Sequence, residues 1–184
     1  MEVIKIITTN KSKVFLLNQI FDKNKYKIRV EMTDYLYPEI KRTDDQKELV
    51  RYAAKHCARK FSKKCLVTEL GLYIKTLKEF PGIQTNYVLK RIGQDGIIKL
   101  LNQQSDRQAE IRLALGYCVP GKDTKVFTAV VPGRLTREEK GQNDLGFESI
   151  FIPDGHQITL GQDLGLRNEL LSKIYKDFAQ YYLN

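Results

Sequence analysis

Apolar residues along the chain recur with two different periods, and the alternation between them predicts the elements. Val3-Ile4-Lys5-Ile6-Ile7 is a β-branched run that predicts a central first strand. After Thr8-Thr9-Asn10, the residues Val14, Leu17 and Phe21 fall on one helical face, with Asn10 as N-cap and Lys11 and Lys13 in the first turn. Tyr26 to Met32 alternates as a second strand, and Tyr35 to Ile40 is a turn-rich loop that presents Glu39. Asp44-Asp45 open a helix running to about Phe61, with acids first and Lys55, Arg59 and Lys60 late. Cys65 to Gly82 begins as a short apolar strand, Leu66-Val67, ending in Glu69 near Gly71. It then passes through an apolar segment, Leu72 to Leu77, and closes on Phe80-Pro81-Gly82. Helical segments around Tyr87–Leu89 and Ile97–Leu101 are interrupted near Gly93 and Gly96. Strands at Glu110–Val119 and Lys125–Val131 flank a Pro120–Asp123 turn, and Pro132-Gly133 is expected to turn the chain again. A charged loop, Arg137 to Asn143, leads to Gly146–Gly155, and a helix over about Leu166 to Tyr182 ends the chain. Strands interleaved with helices predict an α/β protein with a mixed sheet, without internal repeats or low-complexity tracts.

Composition narrows the class. The 184 residues, 42% hydrophobic and 29% charged, suit one domain over 1–184 or two lobes sharing a core. No apolar run is long enough to span a bilayer, and MEVIKIITTN reads as a strand, not as a signal peptide. Cys57, Cys65 and Cys118 are odd in number and not closely paired, which argues against zinc and for reduced thiols in a cytoplasmic protein. The net charge of +9 permits nucleic-acid binding and equally suits a protein that attracts a polyphosphate. The lysines are spread along the sequence, with no zinc-finger spacing or RNA- or DNA-binding signature, so nucleic acid is not the expected partner.

Two stretches carry candidate chemistry. A strand, a Thr-Thr-Asn turn and a helix start offer free N–H groups to an anion. The helix dipole disfavours lysine there, so Lys13 is either neutralised by a phosphate or simply solvated. Glu69, a carboxylate at a strand end beside a glycine, suits a metal-phosphate site; the plain alternative is a surface glutamate at a turn.

Taken in order, the motifs resemble the inosine triphosphate pyrophosphatase family. Thr8-Thr9-Asn10-Lys11-Ser12-Lys13 is similar to its T-G-N-x-x-K phosphate loop, and Pro38-Glu39-Ile40 to its P-E-I-Q segment. Val67-Thr68-Glu69-Leu70-Gly71-Leu72 stands where the family has V-E-D-S-G-L, and Phe80-Pro81-Gly82 matches its F-P-G turn. Phe127, Gly133 and Leu135 follow its F-x-G-x-x-x-G-x-I pattern, with Ala129 at the first glycine. Gly146 to Phe151 resembles its G-Y-D-P-I-F block, which Pro153-Asp154-Gly155 and Thr159 continue, and Arg167 stands near the arginine of its S-H-R triplet. The resemblance implies an elongated mixed sheet flanked by helices, with two lobes, a nucleotide cleft between them and homodimers. It implies Mg²⁺-dependent hydrolysis of ITP, dITP and XTP to monophosphate and pyrophosphate. By the same carry-over, Thr8, Thr9, Asn10, Lys13, Phe147, Glu148 and Arg167 would bind nucleotide. Glu39 and Glu69 would hold the metal, and Glu69 and Lys13 would serve catalysis.

Departures from the family cluster at the acids. Its aspartate is Glu69, the preceding glutamate is Thr68, and the small hydroxyl residue is Leu70. Asp and Pro of the second block are Glu148 and Ser149, and the triplet reads Gly165-Leu166-Arg167. Mg²⁺ tolerates little geometric error. Two readings follow. In the first, the chain binds dITP or ITP with weakened catalysis, as a nucleotide-sensing subunit that reports to an effector protein in a bacterial defence complex. In the second, it is an active pyrophosphatase of a divergent branch, with Glu69 doing the aspartate's work.

Overall fold

The computed structural model describes residues 2–38, 43–142 and 146–184. Among them, a seven-stranded mixed sheet runs in the order β2-β1-β3-β5-β6-β7, with β4 paired to β3. Its members are β1 (Glu2–Ile7), β2 (Ile28–Thr33), β3 (Cys65–Ile74), β4 (Pro81–Gly82), β5 (Gln108–Cys118), β6 (Lys125–Leu135) and β7 (Phe151–Pro153). Four helices accompany them: α1 (Lys11–Lys23), α2 (Gln46–Phe61), α3 (Thr85–Leu100) and α4 (Leu164–Leu183). The chain divides into two compact units. One comprises Met1–Glu69, Leu113–Thr128 and Ser172–Asn184, the other Leu70–Arg112 and Ala129–Leu171.

In the first unit β1 pairs in parallel with β2, placing Ile4 opposite Val30, and in parallel with β3, placing Ile6 opposite Leu66. Ile4, Ile6, Val30 and Leu66 are all buried, as β-branched and apolar residues in a strand covered on its faces should be. Asn10 caps α1 as its sequence predicts, its Oδ1 accepting from the Lys13 N–H at 3.1 Å. Asn18, farther along α1, brackets Val30: its amide donates to the Val30 carbonyl and accepts from the Val30 N–H, at 3.1 and 3.0 Å. Polar backbone groups of the outermost strand are thereby satisfied. Asp45 caps α2, whose inward face is Val50, Ala53, Ala54, Cys57 and Ala58, all fully buried. Small side chains let that helix sit close on the sheet, where Ile7, Cys65, Val67, Ala114 and Cys118 complete the cluster. Burial pushes the Cys57 thiol up to about 11 and Cys65 to about 12, so both are inert protonated thiols. Phe178, near the end of the chain, is surrounded by the rings of Phe21, Tyr117 and Phe127 at 5.2–6.3 Å between centroids.

In the second unit β4 lies antiparallel to β3, with Leu72 opposite Gly82. The buried Thr85 hydroxyl joins them, donating to the Gly82 carbonyl at 2.6 Å and accepting from the Leu72 N–H at 2.8 Å. Only one of the two expected glycine interruptions bends α3: Gly93 sits at φ 65°, ψ −174°, a conformation open to glycine, whereas Gly96 stays helical. Pro132-Gly133 does not turn the chain. β6 runs straight through to Leu135, because β7 pairs with it antiparallel at Gly133–Pro153 and Leu135–Phe151. Arg107, only 9% exposed, fastens this unit by donating to the carbonyls of Leu101, Leu135 and Thr136. No helix among the described residues is long and apolar enough to cross a membrane.

Candidate functional site

The first unit gathers Thr8 to Lys13 at the carboxyl end of its parallel strands, where ligands of open α/β sheets bind. β1 delivers Thr8, Thr9 and Asn10 to the start of α1. The Thr8 hydroxyl accepts from the Asn10 N–H at 3.1 Å, which shapes the turn before the helix opens. Lys13 reaches over to β3, and its Nζ donates to the Thr68 hydroxyl at 3.0 Å. Beside Thr68, Glu69 accepts through Oε1 from the Tyr37 hydroxyl at 2.7 Å, and its Oε2 carries no hydrogen bond among the described residues. Thr8, Asn10, Lys13 and Glu69, picked out by sequence, thus share one unit, Lys13 bonding to Thr68, the residue before Glu69 on β3. Thr9 is exposed at the turn. Glu39 lies outside the described residues.

Two expectations for this stretch need correction. Glu69 is not at the end of a strand. β3 continues to Ile74, because Leu72 and Tyr73 are paired with β4 and bury their side chains. Gly71 also does not clear space for a ligand: a Cβ there would lie 2.7 Å from the Gly82 carbonyl oxygen, so the glycine makes room for β4. Sequence reasoning missed Tyr37 and Thr68 as participants. The signal available was a tyrosine within the same turn-rich loop, Tyr35 to Ile40.

In the second unit Glu148 opens a one-turn 3₁₀ segment, Glu148–Ile150, and is 1% exposed. Arg167, in the first turn of α4, donates through Nε to Glu148 Oε1 at 2.9 Å. Among the described residues, Glu148 Oε2 is buried without a hydrogen-bond partner, as is the Ser149 hydroxyl. Burial pushes the Glu148 carboxyl above its usual value, and the Arg167 guanidinium only partly counters this. Gln94 donates from α3 to the Gly146 carbonyl, fixing the approach to this turn. An arginine, a high-pKa carboxyl and an unsatisfied oxygen form an arrangement able to read a polar heterocycle edge. Phe147, expected to stack on a purine, is 3% exposed, so stacking requires its ring to be uncovered.

The profile of the Ham1 family matches residues 4–169, nearly the whole chain. The chain belongs to the Ham1 family. Curated relatives agree. A dITP/XTP pyrophosphatase of Methanothermobacter marburgensis is 37% identical over 182 residues, covering 97% of this chain and 95% of the relative. One of Methanopyrus kandleri is 36% identical over 164 residues, covering 87% and 86%. A solved HAM1 protein of Coxiella burnetii superposes with a TM-score of 0.84 at 20% identity over 100% of this chain and 99% of its own. That of Staphylococcus aureus gives 0.77 at 22%, covering 99% and 96%. These structures bear out the mixed sheet flanked by helices; the sequence relatives bear out the resemblance drawn from the motifs.

Proposed function

We propose that this Ham1-family chain is a pyrophosphatase for non-standard purine nucleoside triphosphates of the dITP and XTP type, releasing the monophosphate and pyrophosphate. The observation that supports the reading is Lys13, in the first turn of α1, donating to Thr68, the β3 neighbour of Glu69, which Tyr37 holds. Thr8, Thr9 and Asn10 offer hydroxyl and backbone donors to a triphosphate, and Lys13 adds a positive charge where negative charge gathers in the transition state. Glu69, held by Tyr37, orients the attacking water and takes its proton as the bond between the α- and β-phosphates breaks and pyrophosphate leaves. Glu148 and Arg167 read the base, assisted by Phe147.

Among the described residues no cluster of three or more acidic, histidine or cysteine side chains is arranged to hold a metal. Mg²⁺, however, is normally held by one or two carboxylates together with substrate phosphates. Glu69 with its open Oε2 fits a Mg²⁺ that arrives on the triphosphate, and we assign Glu39 as the second carboxylate. When bound, the ion neutralises charge developing on the phosphate oxygens. The three buried free thiols suit a reducing cytoplasm, and we assign the protein there as a homodimer.

A second reading is favoured by the engagement of Glu69 by Tyr37 and by Leu70 in place of a small hydroxyl residue. In it, the chain holds dITP or ITP without efficient turnover and reports it to an effector protein. One experiment separates them: incubate the protein with dITP and Mg²⁺, following pyrophosphate release and nucleotide binding in parallel. Multiple turnovers support the pyrophosphatase. Tight binding without release refutes it and leaves the sensor.

A further inference from the structure

The cations that look evenly scattered along the sequence are segregated by the fold. The first unit carries 20 basic and 11 acidic residues, the second 11 of each, so the whole +9 resides in the first. Part of that excess is gathered around the outward face of α2. Arg51, Lys55 and Arg59 succeed one another at four-residue steps, all exposed, about 6 Å apart along the helix axis. The turn between β5 and β6 docks alongside: the Thr124 hydroxyl donates to the Arg51 carbonyl at 3.0 Å, and Lys55 Nζ pairs with Asp123 at 2.8 Å. Between them is a pocket of about 380 Å³ lined by Lys55, Arg59, Lys122 and Asp123. Asp123 is its single acid. The nearest other acid on the outer face of α2, Glu48, lies one turn toward the N-terminus, where Thr43 holds it.

Helix-dipole compensation explains Arg59 and Lys60 in the last turn but fades before Arg51 and Lys55. Like charges four residues apart weaken a helix, so the row has no local structural advantage. An aromatic stack borders it. The His56 ring lies between Tyr35 and Tyr52, each centroid 6.0 Å away, and Lys60 sits 4.9 Å over Tyr35. Tyr52, at the outer end, is 40% exposed. A row of cations with an open aromatic face beside it is the combination that tracks a phosphate backbone and stacks an unpaired base. The aliphatic residues of α2 pack on the core, with Leu49 partly and Val50 fully buried, so the cationic face offers a lipid surface no row of apolar side chains to insert.

We propose that the outer face of α2, with Lys122 of the adjoining turn, binds single-stranded nucleic acid, Arg51, Lys55, Arg59, Lys60 and Lys122 holding phosphates and Tyr52 stacking a base. The test is fluorescence anisotropy with labelled oligo-dT and oligo-U, a duplex of equal length, and phosphatidylserine vesicles, across a salt series. Five phosphate contacts predict a log–log salt slope of about −3.5 on single strands, and the triple variant R51Q/K55Q/R59Q reduces it by about 2. Tyr52→Ala weakens single-strand binding about tenfold with the slope unchanged. Oligo-dT bound as well as oligo-U marks a backbone-directed site, and a preference for one identifies which strand is recognised. Lys13→Ala retains oligonucleotide binding; its loss would put the strand in the triphosphate site and overturn the proposal. Wild-type binding by the triple variant, equal affinity for the duplex, or vesicle binding that the triple variant abolishes while oligonucleotides fail to bind, would each overturn it as well.

Discussion

Tyr37→Phe is the most informative single change. It removes one hydroxyl and leaves the ring, deleting the 2.7 Å hydrogen bond to Glu69. Hydrogen bonds to charged groups contribute about 1.5–3 kcal/mol, and the half-buried setting puts this one near the lower bound. For a chain of this size that lowers Tm by about 3–6 °C. The kinetic effect depends on what the bond does. If it fixes the carboxylate for water activation, releasing Glu69 lets it wander by a fraction of an ångström or more. A misplacement of about 1 Å carries a loss of about 100-fold. We therefore expect kcat on dITP to fall by roughly 10- to 100-fold with KM nearly unchanged, since the substitution leaves Thr8, Asn10 and Lys13, the proposed triphosphate-binding residues, in place. If instead Tyr37 sequesters Glu69, as the sensor reading holds, kcat rises. The assay is steady-state pyrophosphate release at saturating Mg²⁺, alongside thermal denaturation. An unchanged kcat in a protein whose Tm has dropped would refute both accounts, because the bond would then be structural alone.

Lys13→Ala should weaken nucleotide binding in equilibrium titration under either functional reading; undiminished affinity would mean that the triphosphate lies elsewhere. Glu148 makes stability pH-dependent. Its raised pKa means that the native state holds the proton more tightly than the unfolded chain. Its contribution is therefore most favourable below the ordinary value of 4.5 and is lost as pH rises through the raised one. Glu148→Gln should flatten that decline in denaturant titrations at a series of pH values, and parallel curves for the two proteins would sink the assignment. Arg107→Met strands three backbone carbonyls that the guanidinium satisfies and should destabilise by about 3 kcal/mol in urea unfolding. Arg107→Lys should restore only part of this, because an ammonium lacks the planar fork, and full restoration would show that charge alone matters.

Most of the architecture was legible because local signals and tertiary demands agreed. Asn10 and Asp45 cap the helices that their sequence context predicts, and the β-branched start of the chain is a buried strand. The errors are places where pairing outvotes local composition. Gly71 and Pro132-Gly133 look like interruptions, yet both lie inside long strands because a neighbouring short strand approaches there and needs the absent side chain. Punctuation residues mark close approach as readily as they mark turns, and one sequence cannot separate the two uses.

For the site, motif order picked out Lys13, Glu69, Glu148 and Arg167, whereas their contacts, and the partners that tune these groups, were hidden. Tyr37 acts through a hydroxyl at the end of a loop, and Thr68 looked like a lost carboxylate before Lys13 was seen to bind it. That contact changes what the substitution means. A glutamate at position 68 would pair with Lys13 as an ion pair, holding the ammonium by charge. A threonine instead accepts a hydrogen bond from the charged ammonium, about 1.5–3 kcal/mol, and supplies no counter-charge. On the proposed reading, the threonine puts no counter-charge opposite Lys13 at position 68, which favours ground-state binding of a triphosphate even where fewer carboxylates remain for turnover. Both functional readings share that consequence, so nucleotide affinity alone cannot choose between them, and the rate of pyrophosphate release has to.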